Sequence, residues 1–163
     1  RHGIERVLIA DWDVHHGNGT QDAFYADGSV FFFSTHQSPW YPFTGMINER
    51  GVGKGEGATL NVPLPSGSGS REILGAFERR LLPAMDEFKP QLVLVSAGFD
   101  SRHGDPLGEF ALDDVDFAEL TRMLLDVARR HASGRVVAVL EGGYNLNGLG
   151  LAAAAHVGAL LEA

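Results

Sequence analysis

The 163-residue sequence predicts an α/β fold built on a mainly parallel sheet. Two observations carry this. Five short runs, at residues 7–11, 30–35, 59–62, 92–96 and 136–140, read as strands, and the first, fourth and fifth are unbroken and rich in β-branched residues, as in strands buried on both faces. Segments of helical period lie between or after the runs, and strands alternating with helices define a parallel sheet.

The elements follow in order. Val7, Leu8, Ile9 and Ala10 make the first run without alternation. The chain has no initiator Met and opens almost directly into this strand, so a preceding segment is expected. A short helix is expected over 21–25. Residues 45–57 are a glycine-rich loop and 63–69 a turn-rich stretch. Over 70–88, Leu74, Phe77, Leu81, Met85 and Phe88 recur at helical spacing, with Ser70 as N-cap. Over 113–132, Phe117, Leu120, Leu124 and Val127 form a second apolar stripe. Asp113, Asp114 and Asp116 open that helix, and Arg129 and Arg130 close it, as the helix dipole prefers. Residues 148–163 read as an alanine-rich helix. No internal repeat or linker divides residues 1–163.

Composition narrows the function. The formal net charge is -8, and an acidic chain does not favour a nucleic-acid partner, which needs clustered Lys and Arg. There are no cysteines, so disulfides and thiolate metal sites are excluded. No apolar run approaches the roughly 18 residues of a membrane span. Residues 1–6 show no signal-peptide pattern, so a soluble cytoplasmic protein without a membrane partner is expected.

Three strand ends carry polar residues, and ligand sites in α/β sheets form at such ends. The first continues Asp11-Trp12-Asp13-Val14-His15-His16-Gly17-Asn18-Gly19. Alternation points Asp11, Asp13 and His15 the same way. Two carboxylates and an imidazole on one face call for a cation. The fourth run leads into Gly98-Phe99-Asp100 and then Gly104-Asp105-Pro106, adding two more carboxylates. The fifth leads into Glu141-Gly142-Gly143-Tyr144, which brings a tyrosine hydroxyl over whatever the other loops bind. Asp, His and Asp ligands with an open position are a catalytic zinc pattern, and a nearby tyrosine can donate to an oxyanion. That combination suits metal-assisted amide hydrolysis.

These three ordered motifs resemble the histone deacetylase and acetylpolyamine amidohydrolase family. Asn18 and the Glu-Gly-Gly-Tyr form are more similar to its class II and bacterial branch. The resemblance covers residues 1–163 as the C-terminal part of the family domain. It implies a three-layer arginase/deacetylase-like fold without its N-terminal part. It implies one Zn2+ on Asp13, His15 and Asp105, with Tyr144 polarising the substrate carbonyl. A K+ or Na+ site would use Asp11 and Asp13 with backbone oxygens of His15, Ser34 and Thr35. A second would use backbone oxygens near Phe24, Asp27 and Val30. Tyr41 and Leu112 would line opposite walls of the acyl channel, and Gly142 and Gly143 its inner end. Implied substrates are an acetyl-lysine protein or a small acylated amine; Leu112 in place of an acidic wall residue tilts the choice slightly toward lysine or a small amide. A homo-oligomer is compatible with this reading.

One departure stands out. The family's adjacent histidines for proton transfer lie before the first motif, in a segment this chain lacks, so weak or no activity is expected of it alone. A non-catalytic metal-binding domain is the competing reading, and a binuclear arginase-type hydrolase would need further Asp ligands. His16 is read as structural and His103 as an exposed loop residue. His2, His36, His131 and His156 are read as structural or surface groups. Lys54 lacks phosphate-loop spacing, 148–153 sits too far past its strand to bind a dinucleotide, and Ser96 lacks a nucleophile elbow.

Overall fold

A computed structural model of the protein describes residues 3–162. His2, and Ala163 at the end of the last expected helix, lie outside the described residues. Five strands, β1 (Val7–Asp11), β2 (Val30–Gln37), β3 (Thr59–Leu64), β4 (Leu92–Ala97) and β5 (Val136–Leu140), form one sheet in the order β3-β2-β1-β4-β5. Every pairing is parallel. The helices are α1 (Asn18–Phe24), α2 (Ser70–Ala76), α3 (Leu82–Phe88), α4 (Asp114–His131) and α5 (Leu146–Leu161).

The strands outrun their apolar stretches at their carboxyl ends. β2 continues through Thr35 and His36 to Gln37, all buried. These polar residues hide the strand from a hydrophobicity reading, yet their backbone stays in the ladder.

The expected helix over 70–88 is interrupted by a π turn at Phe77–Leu81. Pro83 explains it. Proline has no N–H, and its ring presses on the carbonyl four residues earlier, at Arg79; a wider turn relieves both. Ser70 is not the cap. Gly69 holds that place, with its N–H donating to Glu72 at 3.2 Å, while Ser70 Oγ donates to Asp116 at 2.7 Å and ties α2 to α4. α5 begins at Leu146, earlier than expected, because Asn145 Oδ1 accepts the Gly148 N–H at 3.1 Å.

Packing is lopsided. On one face, Leu8, Ala10, Phe33 and Val95 pack against Phe77 and Met85, and against Phe117 and Leu120 of α4. Burying each of the Leu, Val, Phe and Met side chains contributes about 1.5–3 kcal/mol. The other face holds a small cluster, Ile9, Val30 and Phe32, with Phe24 of α1 against it. β5 is an edge strand whose Val137 and Val139 are 50% and 57% exposed.

The sheet order sets the place of the site. The chain runs outward from β1 through β2 to β3, then returns to β4 on the other side of β1 and runs outward to β5. The order reverses between β1 and β4. Connections leave in opposite directions there, opening a crevice at the carboxyl ends.

Candidate metal centre

The β1 end delivers its residues as strand alternation requires. Trp12 and Val14 turn into the helical core, fully buried, with the Trp12 ring edge-on to Phe117 and His156. Asp13 and His15 turn into the crevice. There Asp13, His15 and Asp100 offer ligand atoms within 4.8 Å of one another. His15 Nδ1 lies 2.9 Å from Asp13 Oδ1 and 3.2 Å from Asp100 Oδ2.

Backbone amides hold both carboxylates. Asp13 Oδ1 accepts the His15 N–H at 2.8 Å, and its Oδ2 accepts the Gly142 N–H at 3.0 Å. Asp100 Oδ1 accepts the Val14 N–H at 2.8 Å. Asp100 Oδ2 is buried and accepts no well-aligned hydrogen bond, despite its closeness to His15. Gly142 and Gly98 make this packing possible, since a Cβ on Gly142 would overlap the Asp100 carboxylate and one on Gly98 that of Asp13.

The third carboxylate is therefore Asp100, where Asp105 was expected. Asp105 is buried too, but its oxygens are taken by the backbone. Oδ1 accepts the Leu107 N–H at 2.9 Å, and Oδ2 accepts those of Tyr144 and Asn145 at 2.8 and 3.0 Å. It fastens the tyrosine loop to the loop after β4. The missed signal is position: Asp11 pairs with Ser96, so Asp100 is the first acid past the β4 end, beside β1.

Electrostatics reflect crowded negative charge. Burial pushes Asp11 well above the carboxylate range, and Asp13 and Glu141 push it further. Burial raises Asp100 to about 6. The close Asp100 carboxylate, and then that of Asp13, lifts His15 to about 10. A proton on His15 offsets part of the negative charge. A divalent cation would offset more and would use the same Nδ1.

Other expected residues fall in several places. The Tyr144 side chain is half-exposed, its hydroxyl pKa raised by burial and then by Asp100, Asp13 and Asp105. The Tyr41 ring is exposed, 6.2 Å from the His15 ring. Gly143 has φ +136. Leu112 cannot line a channel, because it is fully buried in the core, with its N–H on Ser101 and its carbonyl on His103. Leu107 in the same loop is exposed, and its carbonyl accepts the Trp40 Nε1–H at 3.0 Å.

Ser34, beside Asp11 in the register, is buried with Thr35. His36 Nε2 faces the Gly45 carbonyl at 2.9 Å, so it carries the proton, and Ser34 Oγ donates to Nδ1 at 2.9 Å. The carbonyls of Phe24 and Asp27 accept the Asp27 and Val30 N–H groups at 2.9 and 3.3 Å. His16 bridges Thr44 and Gln21 at 2.8 and 3.1 Å, and His103 is exposed.

Residues 1–160 match the model of the histone deacetylase domain, and the chain belongs to that family. It is 48% identical over 148 residues to a probable deacetylase of Archaeoglobus fulgidus, covering 91% of this chain and 41% of that protein. It is 46% identical to a histone deacetylase-like amidohydrolase of Pseudomonas aeruginosa, covering 89% of this chain and 38% of the relative. The structure of the histone deacetylase Clr3 matches with a TM-score of 0.92 at 44% identity, over 98% of this chain and 27% of that one. The chain thus spans less than half the length of these relatives.

Proposed function

We propose that this chain supplies the metal-binding and tyrosine half of a zinc-dependent hydrolase that removes acetyl or related acyl groups from lysine side chains or other amines. The carrying observation is the convergence of His15 Nδ1 with the Asp13 and Asp100 carboxylates, one buried Asp100 oxygen being left without a hydrogen bond. One nitrogen and two oxygen ligands with an open position suit catalytic zinc.

Bound zinc supplies Lewis acidity for the amide carbonyl and acidifies a water. The chain's own groups do the rest. The amides of His15, Gly142 and Val14 hold the ligand carboxylates in place. Tyr144, its pKa raised, keeps its proton at neutral pH and donates a hydrogen bond to the developing oxyanion. Asp105 fixes the backbone that carries it. Proton transfer falls to the adjacent histidines that the family resemblance places outside this sequence.

A monovalent cation, K+ or Na+, beside Asp11, Ser34 and Thr35 completes the proposal. Asp11 is buried among carboxylates, Thr35 Oγ1 has no hydrogen-bond partner, and Ser34 Oγ donates its proton to His36 and keeps its lone pairs. Leu112 gives no reason to prefer lysine over a polyamine, since it does not face the site.

The test is stoichiometric zinc binding followed by an acetyl-lysine reporter, with Tyr144→Phe alongside. A stoichiometric zinc site is expected, and in a longer protein containing this segment Tyr144→Phe lowers turnover about 10²–10³-fold with zinc retained. A chain that binds no zinc refutes the metal reading. A zinc-loaded chain without turnover limits this segment to metal binding and leaves the family assignment intact.

A further inference from the structure

A second concavity lies at the opposite end of the sheet from the metal centre. Its volume is about 730 Å³, within the usual range of roughly 300–1,000 Å³ for small-molecule sites. Phe31 and Leu60, near the amino ends of β2 and β3, and Phe88 of α3 line it. The Phe31 and Phe88 rings are 5.4 Å apart, tilted by 56°.

Four cations line the same cleft: Arg50, Lys54, Arg79 and Arg80. The Lys and Arg side chains that form ion pairs among the described residues are Arg71, Arg102, Arg122, Arg129 and Arg130, so none of the four lies within ion-pair distance of a carboxylate among those residues. Two carboxylates, Glu56 and Glu87, also line the cleft, so positive charge is in excess. That is notable in a chain of net charge -8.

Both walls are built. One is a loop locked onto the turn after α1: Val52 donates to the Tyr25 carbonyl at 2.8 Å, and Gly57 to that of Arg50 at 2.7 Å. The other carries the π turn. On a regular helix adjacent side chains diverge by about 100°. Here the consecutive Arg79 and Arg80, both in that turn, line one cleft.

We propose that this cleft binds an amphipathic organic anion, an alkyl or aryl body with a carboxylate or phosphate head. The body lies on Phe31, Leu60 and Phe88, and the head meets Arg79 and Arg80. Arginine suits such a head because its planar guanidinium can donate two hydrogen bonds at once. The site is independent of the deacetylase reading.

The probes are dodecanoate and dodecyl phosphate, below their micelle concentrations, titrated calorimetrically into the full chain. One saturable site is expected, with the tighter probe identifying the head group. Arg79→Gln with Arg80→Gln should weaken binding about tenfold or more. These residues are exposed, and an unchanged circular dichroism spectrum checks the fold. Asp100→Asn should leave binding unchanged, which separates the cleft from a carboxylate on zinc. No saturable binding of either probe overturns the proposal. So does binding that survives the double arginine change, or that disappears with Asp100→Asn. Co-sedimentation with phosphatidic acid vesicles without binding of either monomeric probe overturns it in favour of a lipid surface.

Discussion

Asp100 and Asp105 lie five residues apart, and the structure gives them different duties that one paired experiment separates. Asp100→Asn keeps an oxygen for the Val14 amide but replaces the oxygen facing His15 with an amide nitrogen, which cannot serve as a ligand. Structural zinc sites with four ligands bind with about 10–16 kcal/mol, so one ligand represents about 2.5–4 kcal/mol. Zinc affinity should therefore fall about 10²–10³-fold. Asp105→Asn acts elsewhere. Its carboxylate accepts three backbone amides, from Leu107, Tyr144 and Asn145, and hydrogen bonds to a charged group contribute about 1.5–3 kcal/mol each. Asparagine keeps one acceptor oxygen, so about 2–4 kcal/mol is lost, a fall in Tm of roughly 5–15 °C. Zinc affinity in that variant should drop no more than about 100-fold, as for residues that only orient ligands. The assays are competition against a chromogenic zinc chelator and thermal unfolding of the same samples. Wild-type zinc affinity in Asp100→Asn refutes the reasoning, as does an equal or greater zinc loss in Asp105→Asn.

Three further outcomes are expected. Gly142→Ala puts a methyl group against the Asp100 and Asp13 oxygens and should lower zinc affinity by about tenfold or more; unchanged affinity would show that the loop has room to shift. Burial lowers the His36 pKa to about 4 against an unfolded value near 6.5, so the unfolded chain takes up the proton first and stability falls as pH drops between those values. The full effect is about 3 kcal/mol, read as the difference in urea-midpoint slope between wild type and His36→Gln; parallel slopes would exclude it. The exposed β5 edge should give the wild type concentration-dependent association in light scattering that Val139→Lys reduces; a wild type that stays monomeric, or equal association in both proteins, would show that the edge drives none.

The sequence shows the sheet clearly because buried parallel strands read as unbroken apolar runs, as Val7–Asp11 and Leu92–Ala97 do. It shows Asp13 and His15 on one side because strand geometry forces alternation. It cannot decide between Asp100 and Asp105 by residue type, since each is an acid near a glycine. Register decides, by keeping Asp100 beside β1 while the chain turns away before Asp105. Leu112 fails for a related reason. The loop after β4 folds back so that the Leu112 N–H meets Ser101, and this takes the side chain into the core. Neither backbone turn is visible in a periodicity count. The π turn, by contrast, had a local sign in Pro83.

The position of the charges also accounts for the cost of the site. Asp11, Asp13 and Asp100 are all buried at the crevice between β1 and β4, with Glu141 nearby and His15 as the cationic partner in reach. Such a cluster destabilises a fold unless something fixes and neutralises it. Fixing comes from the backbone: the Asp13 amide holds Asp11 at 3.0 Å, Val14 holds Asp100, and His15 and Gly142 hold Asp13. These amides align the oxygens but leave most of the negative charge in place. The remaining charge is what a cation would neutralise. Rigid ligands with uncompensated charge bind metal well because little ordering is left to do on binding. On this reasoning, adding zinc should raise the thermal midpoint of the wild-type protein and leave that of Asp100→Asn nearly unmoved. Equal shifts in both would place the stabilising ion elsewhere.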